Sequence, residues 1–539
     1  MPTTYNQDIK ASARERLLKH AIQALTKDRP DSFLVTKDHF KKITDKFNTS
    51  LHQYVGSSNS EFHNQYNWMF WGMSNDWVEF YDSICKPKTV DELKVLYLSG
   101  PEPLNDIEIL GNHGIRLENI WAIESEKEIY NSALASLISA NIHIKIHRGK
   151  LEEFFELVNH EFDIIYFDAC CPIISPNGSP LDILKQIFIN KRLTNLSALI
   201  TNFSEPKPNY NWGDILGCWF STKDTIEVPE ADHSVEMGTL EKAQFFGKYS
   251  QHINDNLHQY YDTFLTHFIP SFASEMMAIW QTITLGSVQN NYLLNEQLLF
   301  KKLDEIRNYK IKSSKLEDLI TEIPHYLLAV DAYPLINWSE QIRQRLPNDH
   351  LLNRFLDNKR RKVSLEDALY VGSLLKRFEE ADTGFNTFIL DICGEKLKGL
   401  LQKLDFFDRH MAITCDVPMK NLLVELIYGL YGHPYIAHAG KGLSLKYKAK
   451  ETCMFSNVFI FDQCRYLYDY LPTLDLWESF FQNIARQTII RGCIDGIYRN
   501  HFELNSSFFK WGFMEDAYGD YGLAQIRPRE DLNLAKGKF

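Results

Sequence analysis

The stretch between residues 93 and 205 constrains the fold more than any other part of the chain. Five short apolar runs occur there: LKVLYLSG, LENIWAIE, IHIKIHRG, FDIIYFD and LSALITNF. Between them lie NDIEILGNHG, SEKEIYNSALASLISA, KLEEFFELVNH and SPLDILKQIFINKRL, whose apolar residues recur at helical spacing. Strands alternating with helical segments make βαβ units, and such units bury a parallel sheet under helices on both faces. The expected fold class is therefore α/β, with a doubly wound, mainly parallel sheet.

The flanks read differently. ARERLLKHAIQAL and VTKDHFKKITDKFNTSLHQYV carry apolar residues at helical spacing, so residues 1–90 are expected to be a helical N-terminal segment. HNQYNWMFWGMSNDWVEFYDSI (63–84) adds Trp68, Trp71 and Trp77. These rings are expected to pack the helix onto the sheet domain, the alternative being a surface that stacks a substrate. SEPKPNYNWGDILGCWFSTKD (204–224) reads as a loop or an elaboration of the sheet, and helical patterns prevail beyond about residue 240. The expected division is 1–90, a sheet domain at 91–240, a helical extension at 241–335 and a mainly helical C-terminal domain at 336–539. PHYLLAVDAYPLINW (324–338) is the expected junction of the last two.

A chain of 539 residues is too long for one core, so two or three domains are expected. With 44% apolar and 24% charged residues it has the composition of a globular protein. There is no apolar run of membrane-spanning length, and the first 20 residues read as an amphipathic helix, not a signal peptide. Nine scattered cysteines without a CxxC pair match neither a disulfide framework nor a zinc motif. A cytoplasmic setting and no metal are expected. The net charge of −12 argues against coating nucleic acid through the overall field.

In an open parallel sheet, ligands sit beyond the carboxyl ends of the strands, where strand order reverses. The first strand runs into Ser99-Gly100-Pro101-Glu102-Pro103, the second ends on Glu124, and the fourth ends on Asp168. A glycine in the first turn lets backbone approach a nucleoside, and an acid after the second strand can accept hydrogen bonds from ribose hydroxyls. The turn lacks GxGxxG, and its prolines remove donors that would cradle a pyrophosphate. That pattern favours an adenosyl group without phosphates.

These segments resemble the class I S-adenosylmethionine-dependent methyltransferases over about residues 93–205. VLYLSGPEP stands at the glycine-rich first motif, WAIESE carries the acid of the second strand, IHRGKLEEFF matches the region bordering adenine, and FDIIYFDACCP matches the fourth-strand motif. The resemblance implies S-adenosylmethionine as cofactor, with Ser99, Gly100, Glu102, Glu124 and Asp168 around it. It further implies Asp168 as the catalytic group that orients an N or O nucleophile. Asp168, Ala169 and Cys171 also match the Asp-Ala-Pro-Cys motif of RNA 5-methylcytosine methyltransferases, with Cys170 in place of the proline. Those enzymes carry a nucleophilic cysteine after the fifth strand, where this chain has Thr201-Asn202-Phe203-Ser204. Cys170 and Cys171 are therefore expected to be packing residues.

Two other readings stay open. The shortened glycine motif and the mass of additional helix suit a catalytically inactive scaffold subunit of a larger assembly. GLYGHPYIAHAGKGLSLKYKAK (429–450), read as a basic loop with Lys446, Lys448 and Lys450, suits a nucleic-acid-binding module. A nucleic-acid or protein partner, or a second copy of the chain, would then dock through the C-terminal helical region, and no membrane is involved.

Overall fold

The five apolar runs form five strands: β1 (Val95–Leu98), β2 (Ile120–Glu124), β3 (Lys145–Arg148), β4 (Phe162–Asp168) and β5 (Leu193–Ser204). In the computed structural model they pair in parallel in the order β3-β2-β1-β4-β5. The described residues are 8–55, 60–175, 180–207, 212–220, 250–276, 334–360, 363–369, 393–400, 432–501 and 529–535, with a few separate positions between 280 and 304 and Glu425. Helices α4 (Leu104–Asn112), α5 (Lys127–Ser139), α6 (Leu151–Leu157) and α7 (Pro180–Ile189) make the crossovers. β1 lies between β2 and β4, so chain order reverses around it, and in doubly wound sheets ligands bind beyond the carboxyl ends of the strands at such a reversal.

Burial follows from this placement. In β4 every residue from Phe162 to Phe167 is buried, as a strand covered on both faces requires. The exception in chemistry is Asp163, at 1% exposure. It accepts from Lys88 Nζ (2.7 and 2.8 Å), the Lys94 amide (2.8 Å) and Thr194 Oγ1 (2.9 Å), so its charge is fully paired at the amino end of the strand.

The sheet continues where the sequence suggested a basic loop. Within 429–450, residues 429–431 lie outside the described residues. The rest includes β6 (Ile436–Ala437) and leads into a hairpin of β7 (Leu443–Ala449) and β8 (Thr452–Asp462). Lys450, at φ +55°, supplies the left-handed residue of its two-residue turn. β8 pairs antiparallel with β5 from Met454↔Ser204 to Asp462↔Leu196, and β9 (Glu530–Asp531) joins the far edge beside β7. Lys446 and Lys448 are thus strand residues, near Asp531 (3.8 Å) and Glu451 (3.6 Å). LSLKYKA alternates apolar and polar residues with period two, burying Leu445, Tyr447 and Ala449 and turning its lysines to the other face, so the strand is legible in the sequence and the lysines alone suggest a loop. Residues 432–462, placed by their pattern in the C-terminal region, complete the same sheet as β1–β5.

Helical flanks pack on this sheet from both ends of the chain. α1 (Asp8–Leu25) buries Ala13, Leu17, Leu18 and Ala21 against β5, β7, β8 and α4. α2 (Lys37–Val55) and α3 (Ser60–Ile84) pack with the late helix α11 (Ile484–Asn500). At Gly492 an added Cβ would stand 2.7 Å from the Ile43 side chain, so the absent side chain permits this contact. The aromatic stretch of α3 is divided. Trp77 is buried, stacks on Phe40 at 4.4 Å and donates to the Tyr466 carbonyl (3.1 Å), whereas Trp68 and Trp71 are 74% and 66% exposed. Part of 204–224, read as a loop or an elaboration of the sheet, forms α8 (Trp212–Phe220). It packs against α9 (Leu257–Ser271) and α10 (Pro334–Arg345) through Trp219, Phe264, Phe268 and Trp338. Of the expected junction at 324–338, residues 324–333 lie outside the described residues and the rest begins α10. Among the described residues no helix is long and apolar enough to cross a membrane.

Candidate active site

The turn after β1 is built by local sequence. The Ser99 amide donates to the Ile123 carbonyl (3.0 Å), extending the β1–β2 pairing by a residue, and the buried Ser99 hydroxyl donates to the Gly100 carbonyl (3.0 Å). Gly100 adopts φ +59°, a region costly for other residues, and a Cβ added there would meet nothing within 4 Å. The backbone therefore faces open space. Tyr97 Oη braces the turn by donating to the Pro103 carbonyl (3.2 Å). Glu102 is exposed, stands just ahead of α4, whose N-cap is Pro103, and accepts from Asn105 Nδ2 (3.0 Å).

Glu124 ends β2 and is half-buried, one strand away from Gly100. Its Oε1 accepts from the Glu126 amide (2.9 Å), and its carbonyl accepts from the Gly149 amide (3.0 Å). The first of these bonds holds the carboxylate at the strand end.

Asp168 ends β4 on the other side of β1. Its Oδ1 accepts from Asn202 Nδ2 (2.7 Å) and from Cys170 Sγ (2.9 Å). Asn202, 1% exposed in β5, also donates to Tyr447 Oη (3.0 Å) and accepts from Ser456 Oγ (2.7 Å) through its own Oδ1. Side chains on β5, β7 and β8 thus fix one carboxylate oxygen, while Oδ2 has no hydrogen-bond partner among the described residues. Cys170 takes φ +51°. Desolvation and then the Asp168 carboxylate push its thiol up, although part of the residue reaches solvent. Desolvation also raises Cys171. Neither sulfur is held as the thiolate that nucleophilic attack needs.

A second acid stands close by. Asp106, in the first turn of α4, is 4% exposed and lies 2.8 Å from Arg14 Nε of α1. The contact lacks hydrogen-bond alignment. Burial pushes the Asp106 carboxyl up to about 7; Arg14 opposes that rise and Asp168 adds to it. Sequence reasoning missed Asp106, Arg14 and Asn202. A signal existed for the first, because Asp106 shares the buried face of α4 with Ile107 and Leu110 at i, i+1 and i+4. Arg14 and the partners of Asn202 come from remote segments and leave no local signal.

Chemically, Glu124 is an acceptor for paired hydroxyls, the Gly100 turn admits close approach of a flat or neutral group, and Asp168 offers one lone-pair-bearing oxygen in a fixed position. Pro101 and Pro103 remove amides from the turn, which suits a ligand without phosphates there.

No family model matches the chain, and no curated protein matches it. Among solved structures it is similar to the Escherichia coli protein yhhF, provisionally named a methyltransferase, at 13% identity over 25% of this chain and 72% of that one (TM-score 0.19). A Staphylococcus aureus protein provisionally named a caffeoyl-CoA O-methyltransferase shares 17% identity over 38% of this chain and 85% of its own (TM-score 0.17). An S-adenosylmethionine-dependent methyltransferase from Clostridium acetobutylicum shares 15% over 29% and 58%, respectively (TM-score 0.17). Scores this low carry no inference about activity.

Proposed function

We propose that the chain binds S-adenosylmethionine at the carboxyl ends of β1, β2 and β4 and transfers its methyl group to an N or O atom. One observation carries this reading: the open, left-handed Gly100 turn, the Glu124 carboxylate and the braced Asp168 stand at the carboxyl ends of three adjacent strands around the strand-order reversal. The donor set fits the cofactor, since it offers carboxylates for hydroxyl and amine groups and an accessible glycine turn, without a phosphate cradle. When bound, the cofactor supplies a sulfonium-activated methyl group.

The remaining work falls to positioning and proton handling. Glu124 holds ribose hydroxyls, and the turn at Ser99 and Gly100 lies against the nucleoside. Asn202 fixes Asp168 so that Oδ2 accepts the hydrogen bond of an incoming amine or hydroxyl and takes its proton. Asp106 and Arg14 act on Asp168 through their charges. The scaffold reading draws on the same Arg14, which brings α1 to Asp106 of α4.

Calorimetric titration with S-adenosylmethionine and S-adenosylhomocysteine separates the two. Micromolar binding is expected, weakened about 10- to 100-fold in Glu124→Ala by loss of charged hydrogen bonds of about 1.5–3 kcal/mol. Absence of heat and of thermal stabilisation with both compounds would refute the cofactor reading and leave the scaffold.

A further inference from the structure

A separate cluster lies where β5 leaves the sheet. Glu205 is the first residue beyond β5, and Cys453 is the second residue of β8. The Glu205 amide donates to the Cys453 carbonyl (2.9 Å), continuing the ladder in which Ser204 faces Met454. Opposed residues of an antiparallel pair present side chains on the same face, so the carboxylate and the thiol are neighbours. His258, in the first turn of α9, completes the group with Nδ1 3.0 Å from Glu205 Oε1. One ligand atom of each residue lies within 4.8 Å of the others.

The arrangement is held independently of any ion. The His258 ring packs 4.9 Å from Phe455, two residues along β8 from Cys453. One turn later on α9, the Tyr261 ring lies 5.6 Å from Phe455 and its Oη accepts from the Ile173 amide (3.0 Å). The nearby buried cation, Arg529, is committed elsewhere: to Asp262 (2.5 Å), the Leu445 and Ser456 carbonyls, and Asn457. Among the described residues, His258 is the one ion partner of Glu205. All three residues are half-buried.

We infer that Glu205, His258 and Cys453 form a zinc site with a fourth position open to water or an exogenous ligand. Thiolate, imidazole and carboxylate together suit a borderline divalent ion, and three protein ligands with one open position are the arrangement of a reactive site. Hard ions such as magnesium are disfavoured by the sulfur. The absence of a spaced metal motif is no obstacle, because the three ligands come from three segments that only the folded sheet brings together. The site is independent of the S-adenosylmethionine reading.

The test uses the full chain, stripped of metal and titrated with zinc against a chromophoric chelator, and separately with cobalt(II). The expected result is one tightly held zinc per chain and a tetrahedral cobalt spectrum with a thiolate charge-transfer band. Cys453→Ser should abolish that band, and Glu205→Gln or His258→Gln should weaken zinc by more than about 100-fold, beyond the cost of an outer partner. No zinc uptake by the native chain, an octahedral cobalt spectrum, or a band that survives Cys453→Ser would overturn the assignment. Circular dichroism checks each variant; should Cys453→Ser fail to fold, the native cobalt spectrum and Glu205→Gln, at the strand exit, decide.

Discussion

Replacing Asp106 by Asn should stabilise the folded chain at neutral pH while leaving it little changed in acid. Asp106 is 4% exposed, and burial outweighs the attraction of Arg14 at 2.8 Å, so its carboxyl rises from 3.8 to about 7. With the folded value above the unfolded one, the unfolded chain releases its proton first. The group's favourable contribution is complete below pH 3.8, falls as pH rises through the interval, and is gone above about 7. The interval, 7 minus 3.8, is about 3 units, and at about 1.36 kcal/mol per unit this amounts to roughly 4 kcal/mol. Asn keeps the shape and has no charge to desolvate. Denaturant midpoints of the two proteins, measured from about pH 4 to about pH 8, should diverge in favour of the variant by about that amount. A variant that is less stable at high pH, with the gap closing in acid, would refute the reasoning. It would mean that the Arg14 pair outweighs burial and holds the folded-state value of Asp106 below 3.8.

Three further outcomes are expected. Gly100→Ala should cost about 1 kcal/mol in denaturant unfolding, because φ +59° is strained for alanine while the space around it is open; its methyl group should also weaken S-adenosylmethionine binding by calorimetry. Trp77→Ala should cost about 3–5 kcal/mol, whereas Trp68→Ala, at an exposed position, should stay within about 0.5 kcal/mol; equal losses would show that the aromatic face of α3 is covered. Asp163→Asn should cost about 3–5 kcal/mol by leaving Lys88 in a half-made buried pair, with loss of the cooperative thermal transition as the readout; a neutral result would contradict the pairing at the amino end of β4.

The candidate site was legible to the extent that its residues sit at strand ends. Gly100, Glu124 and Asp168 each follow an apolar run, and periodicity marks where such a run stops. Their bracing was not legible. Asn202 is a polar residue inside a strand, and only the pairing of β8 with β5 and of β7 with β8 shows that Ser456 and Tyr447 meet it. Glu102 stands just ahead of α4 and is engaged there by Asn105.

By itself the sequence determined the five parallel strands, their crossover helices and the turn chemistry at their ends. Those features depend on local alternation of apolar and polar residues and on glycine and proline within a few positions. Only the tertiary structure decided that a lysine-bearing hairpin far downstream completes the sheet, that α1 carries Arg14 to Asp106, and that Trp77 is buried while Trp68 is not. It also decided that Glu205, His258 and Cys453 meet. The reason is physical: strand pairing and helix docking join segments remote in the chain, and their energy comes from surfaces buried together, which no local pattern records.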